Sequence, residues 1–169
     1  MPHHDDQPGR RTLRLGGYDY AGQGAYFVTI CAWSRGDHFG SIDAAGHHHN
    51  AAGQLVAARW EAISSKFPTA TLDAYVVMPD HLHGIIALGD PAPGVAGATL
   101  GQIIGWFKTM TTNAYIRGVR EQGWPPFAGR LWQRNYYEHI IRHEDDLARV
   151  RAYIDGNPAR WFERRKGAE

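Results

Sequence analysis

The sequence is short of the residues that staple small proteins. Its one cysteine, Cys31, cannot close an internal disulfide, and Cys₂His₂ or zinc-ribbon sites lack the thiols they need. Long apolar runs are also missing. None approaches the roughly 18 residues of a membrane-spanning helix, and the polar stretch from Met1 to Arg14 has no apolar signal-peptide segment. The expectation is a reducing, cytoplasmic setting with no membrane partner. Excess charge is scarce as well, with 18 Lys and Arg against 17 Asp and Glu. What is present is a chain of 169 residues, 43% of them hydrophobic, which is enough for one domain with a real core. It carries ten histidines and six tryptophans.

The near-zero balance hides an asymmetry. Residues 1–99 hold 6 basic against 9 acidic side chains, whereas residues 100–169 hold 12 against 8. The later part is also rich in Trp, Tyr and Phe. Basic residues interleaved with aromatics suit a polyanion whose bases can stack; on charge alone, a solvated helix face is the favoured explanation.

Residues 1–12 read as a flexible leader, 13–162 as a single catalytic-type domain and 163–169 as a polar tail. Ala25 to Trp33 is dense in β-branched and aromatic residues and predicts a strand. Gly36 to Asn50 is turn-rich. Ala51 to Lys66 has helical apolar spacing and ends before Phe67-Pro68. Thr71 to Met78 and His81 to Leu88 predict a hairpin about Pro79-Asp80. Thr99 is a suitable N-cap for a helix running towards Ile116, Leu131 to Ile141 predicts a fourth strand, and Glu144 to Asp155 a last helix that Gly156 and Pro158 end. The order implies an α+β fold of ferredoxin-like (split βαβ) type, an antiparallel sheet with helices packed mainly on one face.

The chemistry concentrates in two places. In Met78-Pro-Asp-His-Leu-His-Gly-Ile85, strand alternation sends His81 and His83 to one face, where two imidazoles can chelate one divalent ion. On the last helix, Tyr153 and Asn157 stand four residues apart. A phenol is a nucleophile when a cation sits near its phosphate target, and an amide oxygen is a hard ligand suited to Mg²⁺ or Mn²⁺. Taken singly, each of these residues has an ordinary packing or surface explanation.

Together they carry a resemblance. The strand ending Met-Pro-Asp-His-Leu-His83, the segment Leu131-Trp-Gln-Arg-Asn-Tyr-Tyr-Glu-His-Ile-Ile-Arg142 and Tyr153-Ile-x-x-Asn-Pro158 resemble the single-tyrosine HUH insertion-sequence transposases, and within them the REP-associated tyrosine transposases. Leu13 to Tyr20, Gly24 to Cys31 and Phe39-Gly-Ser-Ile42 are similar to that family too, so the likeness spans residues 10 to 161. It implies that His81, His83 and Asn157 hold one divalent ion, Mg or Mn, with Tyr153 as nucleophile. The implied activity is metal-dependent cleavage and strand transfer of single-stranded or hairpin (REP-like) DNA through a 5′-phosphotyrosine intermediate. Asn157 stands where the insertion-sequence branch has Gln; Asn is usual in the REP-associated branch. The resemblance is compatible with a monomer or a homodimer, the dimer being slightly favoured. Two alternatives stay open: a non-catalytic single-stranded DNA or RNA-binding module, and a metal-dependent phosphodiesterase that uses water.

Other residues draw attention less sharply. Lys108, Arg117, Trp132, Arg134 and Arg142 are candidates for DNA backbone or base contacts. Tyr136 and Tyr137 are rival nucleophiles without a metal ligand four residues on, and Glu138 and His139 read as structural. His47-His48-His49 lies in the turn-rich segment and reads as an exposed loop, as do His3 and His4 in the leader.

Overall fold

The computed structural model describes residues 24–168. The leader and the Leu13 to Tyr20 motif lie outside the described residues. In chain order the elements are β1 (Gly24–Cys31), β2 (Gly40–Asp43), β3 (Gly46–His49), α1 (Ala51–Glu61), α2 (Ile63–Lys66), β4 (Ala70–Val77), β5 (His81–Leu88), α3 (Leu100–Gln122), β6 (Tyr137–Ile141), α4 (Glu144–Asp155) and α5 (Asn157–Lys166). Four strands form one antiparallel sheet in the order β4-β5-β1-β6, and β2 pairs with β3 separately. With α1 and α3 as crossovers this is the split βαβ arrangement expected of the sequence.

The two central strands, β1 and β5, are buried on both faces because helices cover both. On one face Tyr26, Val28, Ile30, Leu82 and Ile86 meet Val56 and Trp60 of α1, Ile63 of α2, and Ile103, Ile104 and Phe107 of α3. That face carries most of the helical mass. On the other face a smaller cluster joins Phe27, Ile85 and Ile141 to Val150 and Ile154 of α4. The alternation that sends Phe27, Thr29, His81, His83 and Ile85 to this second face builds the site.

Capping explains the helix boundaries. Thr99 and Gln102 form a reciprocal capping box at the start of α3, and Gly123, at φ 69°, ends it in the left-handed conformation. Three acidic residues, Glu144, Asp145 and Asp146, occupy the first turn of α4, where the helix dipole favours negative charge. Asp73 accepts two hydrogen bonds from Arg151, at 2.8 and 2.6 Å, and so ties β4 to α4.

Four expectations are corrected. The segment Gly36 to Asn50 is not merely turn-rich, since it holds the β2–β3 hairpin. His47 to His49 therefore lie on a strand, and His49 Nε2 hydrogen-bonds the Val77 carbonyl at 3.0 Å. Residues 131–136 are not strand apart from a bridge between Trp132 and Ala32; β6 begins only at Tyr137. Gly156 closes α4 after Asp155 as expected, but Pro158 does not stop the helical stretch. The chain turns at Gly156 and restarts as α5, with Pro158 in its first turn, where the missing N–H costs nothing. The expected polar tail from residue 163 is helical through Lys166.

Candidate active site

His81 and His83 share one face of β5, and their Nε2 atoms point at each other across 3.1 Å. Both Nδ1 atoms are already engaged. His83 Nδ1 lies 2.8 Å from Thr29 Oγ1 on the neighbouring strand, and His81 Nδ1 lies 2.7 Å from Asp80 Oδ1. If each Nδ1 carries its proton, as these partners favour, two Nε2 lone pairs converge. That is how a metal-binding imidazole is normally held, its outer nitrogen donating to a carboxylate or hydroxyl that fixes the ring. The spacing also suits an ion. Two nitrogens about 2.1 Å from an octahedral cation at a right angle stand about 3.0 Å apart, whereas tetrahedral zinc would spread them to about 3.3 Å.

His83 is 5% exposed, and its ring stacks on Phe27 at 5.5 Å. Burial, with the positive charge of His81, Arg160 and Arg164 behind it, lowers its pKa to about 3. It is therefore neutral at physiological pH and able to act as a ligand.

Helices α4 and α5 bring the remaining candidates over this pair. Tyr153 lies near the end of α4 with its ring 5.4 Å from that of His83 and 5.9 Å from that of Phe27, and it is 43% exposed. Trp161 of α5 sets its ring 5.6 Å from that of His81. Asn157 falls midway in sequence between these two contacts, at the first position of α5. It is 1% exposed, and neither its amide oxygen nor its amide nitrogen has a hydrogen-bond partner. An orphaned buried amide costs roughly 1–3 kcal/mol, so it asks for a reason. A hard cation could supply one, since two imidazoles and an amide oxygen form a donor set suited to Mg²⁺ or Mn²⁺.

Arg160 was not singled out by its sequence position. Its guanidinium lies over the Tyr153 ring at 4.6 Å and donates to the Tyr153 carbonyl. The only sequence signal was its spacing of seven from Tyr153, two helical turns that a stop at Gly156 would have interrupted. Cys31 pairs with His81 across β1 and β5; burial and the Asp80 carboxylate push its thiol up to about 11, which disfavours the thiolate.

The two rival tyrosines separate. Tyr136 is 4% exposed in the main core beneath Lys108, while Tyr137 stands on the site face opposite Thr29. His139 is held by Asp146 at 2.8 Å, and Arg149 takes the other oxygen of that carboxylate at 3.0 Å. Glu138 is buried on the opposite face from His139.

The expected DNA-contacting residues do not gather at the site. Trp132 is 4% exposed; it packs on Phe39 and Phe107 and donates from Nε1 to Thr111 Oγ1, so it is a core residue and offers no face for a base. Lys108 spends its ammonium on the carbonyls of Gln133, Arg134 and Asn135, bracing the irregular segment before β6. Arg117 is exposed on α3, against the other face of the sheet, and Arg142 is exposed just past β6. Arg134 rims a cleft of about 410 Å³ beside the start of α3.

Comparison with known proteins fits this geometry. No protein-family model matches the chain. An uncharacterized protein of Haemophilus influenzae is 35% identical over 168 residues, covering 90% of this chain and 89% of its own length. A second H. influenzae protein, provisionally named a REP-associated tyrosine transposase, is 30% identical over 104 residues; these are 56% of this chain, which spans about half (52%) of that relative's length. The solved structure of a REP-associated tyrosine transposase bound to a REP hairpin superposes with a TM-score of 0.63 at 20% identity, covering 88% of this chain and 74% of the other. The chain belongs to the family that the longer-matching H. influenzae protein represents, and its fold is that of a REP-associated tyrosine transposase.

Proposed function

We propose that this chain is a metal-dependent DNA strand transferase that cuts single-stranded or hairpin DNA, with Tyr153 as nucleophile and His81, His83 and Asn157 as ligands of one Mg or Mn ion. One observation supports this reading above the rest. Two Nε2 atoms converge at 3.1 Å with both outer nitrogens braced, and the Tyr153 ring stands 5.4 Å from that of His83. The REP hairpin held by the structural neighbour indicates the substrate class.

A bound ion would act as a Lewis acid on the scissile phosphate. The protein's own part is positioning and charge. Phe27 and His83 hold the Tyr153 ring on its inner side, and its exposed edge leaves room for DNA. Arg160 places a positive charge over the Tyr153 ring, close enough to favour a charged phosphate brought to the phenol, which gives its proton to solvent as it attacks. The Tyr153 oxygen forms a bond to phosphorus, the bond to the 3′ oxygen breaks, and that oxygen leaves as a 3′-OH after taking a proton from solvent. A 5′-phosphotyrosine link results. One phosphate ester replaces another, so attack by a second 3′-OH reverses the step and joins a new strand without any nucleotide cofactor.

The test is incubation with Mn²⁺ and a 3′-labelled single strand carrying a hairpin. A covalent, protease-sensitive adduct is expected, lost with a chelator and in Tyr153→Phe but kept in Tyr137→Phe. An adduct that survives Tyr153→Phe overturns the nucleophile assignment. Cutting with no adduct in any variant makes water the nucleophile instead.

A further inference from the structure

We infer that Trp33 is a stacking platform for one unpaired nucleobase of the DNA strand that leaves the histidine pair, an inference that rests on the nucleic-acid reading above. Of the six tryptophans, Trp33 alone is classed as exposed, at 53%. It is also placed on the line of the site. Along β1, Thr29 faces His83 and Cys31 faces His81. β1 ends at Cys31, Ala32 enters the main core, and Trp33 follows in a bend, no more than about 7 Å along the chain from Cys31.

The backbone there is fixed before any ligand arrives. The Ala32 N–H donates to the Asp80 carbonyl at 2.8 Å, the Trp33 N–H to Leu131 at 2.8 Å, and the Gln133 N–H back to Cys31 at 2.9 Å. The Arg130 guanidinium lies 5.0 Å from the centre of the indole, against one face, which holds the ring while leaving area for a base. The same guanidinium can meet the phosphate beside that base. Arg165 lies over Trp161, whose ring is 5.6 Å from that of His81, and reaches Asp37, four residues past Trp33, so a second guanidinium stands between the histidine pair and this corner. An exposed aromatic set in a cationic track is how single strands are held without sequence reading.

The experiment uses the full chain carrying Tyr153→Phe, with a chelator present, so that cleavage cannot intervene. The probes are a fluorescent oligothymidine of 12 nucleotides and a blunt hairpin without a tail, read by anisotropy. Trp33→Ala should weaken oligothymidine binding by roughly tenfold or more, leave the blunt hairpin unchanged, and be largely rescued by Trp33→Phe. Unchanged oligothymidine affinity overturns the inference, and so does equal loss on both probes. A changed mass in solution with unchanged DNA affinity assigns Trp33 to a protein contact instead. These are affinities, so they stand or fall separately from the adduct assay.

Discussion

Asn157 is the residue at which stability and function pull apart most plainly. Its amide is buried without a partner, so the folded chain carries a desolvation cost that nothing in the protein offsets. Asn157→Ala should therefore leave the melting temperature unchanged or raise it slightly while lowering metal-dependent cleavage roughly 100-fold. A drop of several degrees with cleavage retained would make Asn157 a packing residue. His83 gives the second prediction at this scale. Its folded pKa, about 3, is depressed below the ordinary value of about 6.5. The unfolded chain thus binds a proton that the folded chain refuses, and the stabilising contribution is fully present above about pH 6.5 and lost as pH falls from there towards 3. Below about pH 4, Asp73 and Asp146 add to the loss, because Arg151 and His139 hold their carboxyls below the usual range. In metal-free protein, chemical denaturation between pH 7 and 5 should show stability falling with acid. His83→Gln should flatten that limb and leave the steeper loss below pH 4.

At the scale of elements, β5 is shaped by what each of its faces must accept. Its site face carries His81 and His83, while on its core face Gly84 lets the Trp60 ring of α1 lie directly on the sheet. A Cβ at Gly84 would fall 2.3 Å from that ring. Gly84→Ala should cost about 1–3 kcal/mol by overpacking, a fall of roughly 3–10 °C in Tm for a chain of this size. An unchanged Tm would mean that α1 can slide. The bounds of β5 and α4, the cap at Thr99 and the pairing of the two histidines were legible in the sequence, because each rests on a local rule of alternation, capping or periodicity. The β2–β3 hairpin was not. Gly-Ser-Ile-Asp and Gly-His-His-His have no apolar alternation, and the hairpin depends on tertiary contacts such as His49 to Val77. Trp132 failed for a related reason: an aromatic beside an arginine looks the same in sequence whether it faces DNA or, as here, the Thr111 hydroxyl. Pro158 was read as a stop when its place in a first turn makes it a start.

Over the whole molecule, the two faces of the sheet are finished differently. Three helices close one face around a dry core, whereas α4 and α5 only partly cover the other and leave Tyr153 in reach of solvent. The basic excess of the last third divides along the same line. Lys108 is spent on backbone carbonyls, and Arg149 and Arg151 pair with Asp146 and Asp73. Arg160 and Arg164 instead bear on His83 from α5. DNA held at the site should therefore release counterions through α5 rather than through α3. Each phosphate contact to a single strand contributes about 0.7 to the slope of log affinity against log salt. Replacing Arg160 and Arg164 together by Gln should lower that slope by roughly 1.4, measured by anisotropy from 50 to 300 mM salt, while Arg117→Gln on α3 should leave it unchanged. The reverse result would run the DNA along α3, on the far face of the sheet from the histidines. The phosphate could not then reach His81 and His83, and the proposed chemistry would lose its substrate path.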